Sequence, residues 1–200
     1  LRRMCNNYEQ LVGWPAFSEI VSRLEWRLPE GRDAAALPAS ASVRVRDLAP
    51  VLIARGNGVD LTMMRWGLAP AKPGGAPVFN FRSEGRAFNV GRRCLAPASA
   101  FYEFTGAKSP KAKHRFTLDG GSCFAIAGLW REAANDAPAE FSLLTVDAGA
   151  DVGRYHSRQI VVLAPTDWPA WIHAARPEKD ILRPSTPGIF RVETVRPVAA

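Results

Sequence analysis

The sequence predicts an α+β fold, a single domain built on an antiparallel, barrel-like β-sheet with a few peripheral helices. Three observations carry that prediction. Short β-prone runs outnumber helical ones, Gly- and Asn-containing turns separate them, and strand–helix–strand alternation of the parallel kind is absent. At 200 residues the chain suits one compact domain, and a composition of 47% hydrophobic and 22% charged residues is that of a folded protein.

The elements follow in chain order. FSEIVSRLEW, Phe17 to Trp26, repeats apolar residues at helical spacing, with Ser18 as the expected cap and Glu19 in the first turn. LPEGRDAAALPASASV is rich in Pro, Ala and Ser and reads as a surface connection. VLIARGNGVDLTMMRW sets two β-prone runs about Gly-Asn-Gly, a turn that supplies positive φ without strain, so a hairpin is expected. HRFTL and CFAIAGLW flank DGG and predict a second hairpin; RCLAPASAFYEF, FSLLTV, RQIVVLA and IFRVETV predict further strands. TDWPAWIHAA predicts a second helix capped by Thr166.

Charge and cysteine usage narrow the partners. Lys and Arg number 26 against 19 Asp and Glu, a net +7, and arginine dominates the excess. Its planar fork suits phosphate, so a polyanion is a reasonable partner, although many basic proteins are merely soluble. Cys5, Cys94 and Cys123 have neither metal-ligand spacing nor an even count, which argues against a disulfide framework and for a reducing compartment. LRRMCNNYEQLVGW lacks the apolar stretch of a signal peptide, and no apolar run is long enough to span a bilayer. The expectation is a cytoplasmic protein with no membrane partner.

Four places set polar groups in apolar, strand-like surroundings: Cys5, NFRSE at Asn80 to Glu84, Glu103 in AFYEF, and His156 in YHSRQIVVL. Glu103 has two readings. In a strand paired on both sides its carboxyl is poorly solvated, its pKa rises, and it can serve as acid or base near neutrality. Plain alternation instead turns Tyr102 and Phe104 inward and Glu103 to water, and spacing alone favours this. His156 reads equally as a group at a strand mouth or a hydrogen-bonded loop histidine. Arg82 and Glu84 share a strand face with Asn80, so the two charges are expected to pair, or the face is a solvated edge. Cys94 and Cys123 read as small core residues. Trp66, beside Arg65 and near Pro70, is the best candidate among six tryptophans for a stacking surface, and His114 and His173 receive no role.

Taken in order, MCNNY, RWGLAP, NFRSE, RRCLAPASAFYEF, FAIAGLW, LLTVDA and HSRQIVVL resemble the SOS response-associated peptidase (SRAP) family from Met4 to about Ile172, and PSTPGIFRV is compatible with a shortened family ending. The resemblance implies one SRAP-like domain over residues 4–200, with 1–3 a leader ahead of the initiator. It implies a DNA-damage sensor of the SOS response that recognises abasic sites in single-stranded DNA. The expected enzyme forms a covalent, thiazolidine-linked DNA–protein crosslink and carries peptidase, hydrolase or lyase-like activity, with autoproteolytic exposure of the cysteine proposed for the family. No cofactor, no metal and a monomer are expected.

Carried over residue by residue, the resemblance makes Cys5 the nucleophile, Asn80 the group that holds it, Glu103 the proton shuttle and His156 an acid that assists sugar ring opening. Arg82 and Arg158 match phosphate contacts, and Trp66 lies in a motif lining the DNA cleft. The chain departs from the family where Asn6-Asn7 replace Gly-Arg, which removes one expected phosphate contact. Ala100 and Phe104 replace the outer Gly and Trp of Gly-Phe-Tyr-Glu-Trp, and Gln159-Ile160 replace Met-Pro.

The chemistry requires Cys5 to be the first residue. With Leu1 to Met4 attached its nitrogen is an amide, so the expectation is a start at Met4 followed by removal of that methionine. Two rival readings use the same residues: a cysteine peptidase with Cys5 as nucleophile and His156 as base, and a single-stranded DNA-binding module without chemistry.

Overall fold

The computed structural model describes residues 5–70, 72, 74–107, 109–120, 123–132 and 137–197. The leader Leu1 to Met4 and Gly121 of the expected DGG turn lie outside the described residues.

Two sheets form the body. The smaller has the order β13-β8-β7-β1-β2, and the larger β11-β10-β4-β3-β6-β9-β12, with β5 added to β10. The strands that matter for the site are β1 (Asn7–Gln10), β2 (Ser40–Arg44), β3 (Leu48–Arg55), β4 (Gly58–Trp66), β5 (Asn80–Arg82), β6 (Arg93–Ala98) and β7 (Ala100–Thr105). They are followed by β8 (Ala112–Leu118), β9 (Phe124–Arg131), β10 (Glu140–Asp147), β11 (Arg158–Ile160), β12 (Val162–Leu163) and β13 (Phe190–Arg196). Because β10 also pairs with β9, the path β10-β4-β3-β6-β9 closes on itself, giving the expected barrel-like core. Most pairings are antiparallel, but β10 runs parallel to β4 and β5, a departure from the wholly antiparallel expectation.

Alternation sorts side chains between two cores. On β3, Val51 and Ile53 belong to the core shared with the smaller sheet, where Tyr8, Phe101, Phe116 and Phe190 pack; Leu52 and Ala54 belong to a core shared with helices α1 (Trp14–Arg23) and α3 (Trp168–Ile172). The molecule is therefore layered, with helices on one side of the large sheet and the small sheet on the other. Two further one-turn helices are α2 (Ala150–Gly153) and α4 (Glu178–Ile181).

The Gly-Asn-Gly hairpin forms as expected: Arg55 opposes Gly58 and Gly56 takes φ +55°, a conformation that favours glycine. The DGG hairpin does not form. β8 pairs with β7 and β13, whereas β9 lies in the other sheet against β6, β10 and β12. β8 joins the strand before it, β7, and β9 the strand after it, β10, so the chain crosses from one sheet to the other between them. RCLAPASAFYEF likewise divides at Ser99, with β6 in the large sheet and β7 in the small one. The first helix starts earlier than expected, at Trp14, with Pro15 in its first turn; Ser18 donates to Pro15 O and does not cap. In the second helical segment a short 3₁₀ turn at Pro165–Asp167 leads into α3, and Thr166 lies within it with no side-chain cap bond.

Candidate active site

Cys5 immediately precedes β1, the neighbour of β7 in the small sheet, and β7 carries Glu103. Asn80 opens β5, which pairs with β10 of the large sheet at Leu143. The two sheets thus bring three sequence-distant residues together. The Cys5 backbone N–H donates to Glu103 Oε1 at 3.2 Å, and Asn80 Nδ2 donates to the Cys5 carbonyl at 2.8 Å. Cys5 and Glu103 are each 1% exposed.

Alternation on β7 is real but of opposite sense to the one spacing favours. Phe101 and Glu103 face the interior, while Tyr102 turns to the other side of the sheet, where its hydroxyl donates to Glu9. Arg115 grips the same Glu9 through Nε at 2.9 Å and Nη2 at 2.7 Å. Among the described residues Glu103 has no such cation. Burial pushes its carboxyl up to about 8, opposed only by the Cys5 N–H, so the proton is held at neutral pH. The Cys5 thiol donates to Asn7 O at 3.5 Å; burial first, then the neighbouring Glu103 charge, push its pKa far above the ordinary thiol value. The thiol is therefore protonated at rest and no preformed nucleophile.

Among the described residues Glu103 Oε2 and Asn80 Oδ1 are buried without hydrogen-bond partners. An amide at Cys5 offers one N–H, already spent on Glu103 Oε1; an amine offers more.

His156 follows α2 and precedes β11, and it is 6% exposed. The backbone N–H of Arg158 donates to its Nδ1 at 3.0 Å. The Arg158 carbonyl lies 3.2 Å from the same nitrogen. Among the described residues no hydrogen bond links His156 to Cys5, Asn80 or Glu103.

Arg158 does not present its guanidinium to solvent. Its side chain is 8% exposed, with Nη1 bonding Glu84 at 2.5 Å and Asp147 at 2.7 Å, and Nη2 bonding Glu84 at 2.8 Å and the Thr145 carbonyl at 2.8 Å. This corrects the expected Arg82–Glu84 pair, since Glu84 lies beyond the end of β5 and meets the arginine of β11. Arg82 is exposed and has no ion pair among the described residues. Trp66 is also corrected. It is fully buried, packs against Tyr8, Phe79 and Phe141, and donates from Nε1 to Phe79 O at 2.9 Å. Enclosed by these rings, its own ring has no face open to solvent.

Sequence reasoning assigned nothing to His114, which opposes Glu103 across β7 and β8 and is buried, its ring nitrogens on Thr105 at 2.7 Å and Thr194 at 3.0 Å. Its two-residue offset from Phe116 was the available signal that it faces the interior. All three cysteines are free; Cys94 is buried, and Cys123 is half-buried with its thiol pushed up to about 12 by burial. Among the described residues no group of three His, Cys, Asp or Glu could hold a metal, and no helix is long and apolar enough to cross a membrane.

A closed β-path joined to a second sheet, with Cys5, Asn80 and Glu103 meeting at the junction, defines the class of protein. The chain belongs to the SOS response associated peptidase (SRAP) family, whose model matches residues 4–198. It is similar to abasic site processing protein YoqW of Bacillus subtilis (strain 168) and of Bacillus phage SPbeta, 27% identical over 185 residues, 84% of this chain and 80% of YoqW. It is 26% identical to abasic site processing protein YobE of Bacillus subtilis, again over 84% of this chain and 82% of YobE. Two solved structures from Bordetella bronchiseptica share the fold. One has a TM-score of 0.69 at 22% identity, covering 96% of this chain and all of that one; the other, a phage-related protein, has 0.71 at 23%, covering 96% and 94%.

Proposed function

We propose that this protein processes abasic sites in single-stranded DNA, forming a covalent bond to the ring-opened sugar through Cys5 once that residue is first in the chain. The observation that carries the reading is the convergence on Cys5 of a buried carboxyl at its nitrogen and an amide at its carbonyl, Glu103 and Asn80. Family membership and the names of YoqW and YobE support the substrate.

The order of bond formation follows from the proton inventory. An α-amine has a pKa of about 8, so an appreciable fraction is neutral at pH 7, whereas the buried thiol is protonated. Nitrogen attacks first. Glu103 gives its proton to the aldehyde oxygen as nitrogen adds and takes one from nitrogen, leaving a carbinolamine; it then protonates the departing hydroxyl, which leaves as water, and takes the second nitrogen proton as the neutral imine forms. Sulfur then adds to the imine carbon while its proton passes to nitrogen, closing the thiazolidine. The net change is loss of one water. Asn80 fixes the cysteine through its carbonyl, and the imidazole of His156 serves as the hydrogen-bonding group at the sugar oxygen during ring opening.

The cysteine-peptidase reading draws no support from this geometry, because the thiol is driven away from the thiolate and bonds to Asn7 O and not to His156. The test is to mix protein beginning at Cys5 with an abasic oligonucleotide, denature, and weigh the product. The expected adduct is protein plus oligonucleotide less one water, absent when residues precede Cys5. No denaturant-resistant adduct, or an equal adduct from Cys5→Ala, would refute the proposal.

A further inference from the structure

Glu103 and His156 have to serve one sugar, yet they belong to different halves of the fold. Glu103 lies on β7 of the small sheet, whereas His156 lies in the turn between α2 and β11, and β11 belongs to the large sheet. Among the described residues no hydrogen bond joins the two side chains. Contacts across the sheet junction therefore set the spacing between them. Both ends of the α2 turn make such contacts. At its start, Asp151 accepts the Gly188 N–H at 3.0 Å and the Phe190 N–H at 3.2 Å, which fastens α2 to the head of β13. At its end, the Val152 carbonyl accepts the N–H of Tyr155 at 2.8 Å and that of His156 at 3.0 Å, so these two residues share one tight turn.

Tyr155 lays its ring on β8. Its centroid is 4.5 Å from that of His114, with the planes inclined at 51°, and 5.2 Å from that of Phe116, edge to face. His114 and Phe116 are two apart on one strand and so present one face to it. Rings in tilted and edge-to-face arrangements attract through their quadrupoles, which favours one geometry over others. The His114 ring is itself held on both edges: its nitrogens bond Thr105 Oγ1 at 2.7 Å and Thr194 Oγ1 at 3.0 Å, one hydroxyl from each strand that flanks β8. Turning the ring would cost at least one of these bonds. His114 also stands directly opposite Glu103 in the β7–β8 register, so the two share the interior face of the sheet. The path from Glu103 to His156 is thus one cross-strand step to His114, one ring contact to Tyr155 and one peptide bond.

We propose that His114 and Tyr155 are positioning residues: their ring contact sets the turn that carries His156 at the distance from Glu103 that sugar ring opening needs. The proposal rests on the function given above to His156 and adds to it two residues that act through His156 and not on the substrate. A group that assists by hydrogen bonding must lie within reach of the sugar oxygen, and a misplacement of about 1 Å can cost about a hundredfold in rate. Addition of Cys5 to an aldehyde that has no ring to open makes no such demand on His156.

The experiment follows adduct formation over time by mass, in protein beginning at Cys5, with two aldehydes: a saturating abasic oligonucleotide, whose sugar must open, and glyoxylate, which has no ring. Tyr155→Leu keeps apolar bulk without the ring, and His114→Gln keeps a bonding group for the threonines without the ring. Each is expected to form the oligonucleotide adduct about tenfold or more slowly and the glyoxylate adduct at the wild-type rate. Tyr155→Phe retains the ring contact and is expected to keep both rates. His156→Ala is the benchmark and should show the same split between the two aldehydes. Near-ultraviolet circular dichroism confirms the fold of each variant, and either ring-deleting variant suffices for the comparison. Equal slowing with both aldehydes, or wild-type oligonucleotide rates in the folded ring-deleting variants while His156→Ala is slow, would overturn the positioning role alone. A wild-type oligonucleotide rate in His156→Ala would overturn the function given to His156, and the positioning role with it.

Discussion

The backbone nitrogen of Cys5 and the carboxyl of Glu103 meet at 3.2 Å across 98 positions of sequence, inside a junction that leaves neither residue more than 1% exposed. Burial without a cation among the described residues separates this carboxyl from Glu9, which lies on the neighbouring strand β1 and on the opposite face of the same sheet. Arg115 and Tyr102 hold Glu9 below the ordinary carboxylate range despite its burial, while Glu103 rises to about 8. One sheet therefore carries a carboxylate kept charged by its cation and a carboxyl kept protonated by burial.

Replacing Glu103 by Gln retains the shape and the acceptor for the Cys5 nitrogen but removes the proton shuttle. Crosslinking to an abasic strand is expected to slow by roughly a hundredfold or more, while affinity for intact single-stranded DNA stays at the wild-type value. Rapid-quench timing of the denaturant-resistant adduct measures the first and fluorescence titration the second; equal crosslinking rates would remove Glu103 from the mechanism.

The same substitution reports on stability. In protein whose Cys5 nitrogen is an amide, Glu103 titrates near 4.5 when unfolded and at about 8 when folded. Its folded pKa is raised, so its contribution is greatest below pH 4.5 and is lost as pH rises to about 8, where the folded chain is the last to release the proton. The slope in this window approaches about 1.4 kcal/mol per pH unit. Glu103→Gln lacks this penalty. Urea unfolding of both proteins at pH 5 and pH 8 is expected to show the variant gaining on the wild type as pH rises, and a constant difference would contradict the burial argument.

Asn80→Ala removes the donor to the Cys5 carbonyl and leaves that buried carbonyl unsatisfied. A cost of about 1–3 kcal/mol in unfolding free energy is expected. Crosslinking should slow further than stability explains, because the nitrogen loses its orientation as well. The discriminating measurement is rate at a temperature where the variant is fully folded by near-ultraviolet circular dichroism; a wild-type rate there would leave Asn80 a purely structural role.

Much of this was legible in sequence, and the misses share a cause. Gly56-Asn57 announced the β3–β4 hairpin because a turn is local chemistry. The DGG segment carried the same signal, yet β8 and β9 part company there, because a local turn signal does not say which of two sheets each flanking strand will join. Alternation also showed that Glu103 and Tyr102 lie on opposite faces without showing which face a second sheet would cover. The motifs placed Arg158 and Trp66 near the site; only the three-dimensional packing shows that Glu84 and Asp147 occupy the first and that Tyr8, Phe79 and Phe141 enclose the second.

Arg158 ties the end of β5, the end of β10 and the His156 turn together. Arg158→Met is expected to cost about 1–3 kcal/mol, moderated because the partner carboxylates are partly exposed and can be solvated. It should leave the salt slope of single-stranded DNA binding unchanged. A phosphate contact would instead lower that slope by about 0.7, so a salt series on the folded variant separates an internal tie from a DNA contact.

Trp66 offers the sharpest contrast between sequence motif and structure. A tryptophan that stacks on a base contributes about 1–3 kcal/mol to single-strand binding, whereas one sealed in a core contributes to folding, with truncation to Ala costing about 3–5 kcal/mol. Trp66 is wholly buried and its indole N–H is already bonded to Phe79 O. Trp66→Phe keeps most of the apolar volume and is expected to lower the unfolding midpoint while binding oligothymidylate with wild-type affinity. Weakened binding by a fully folded Trp66→Phe protein would mean that the indole leaves the core to meet DNA.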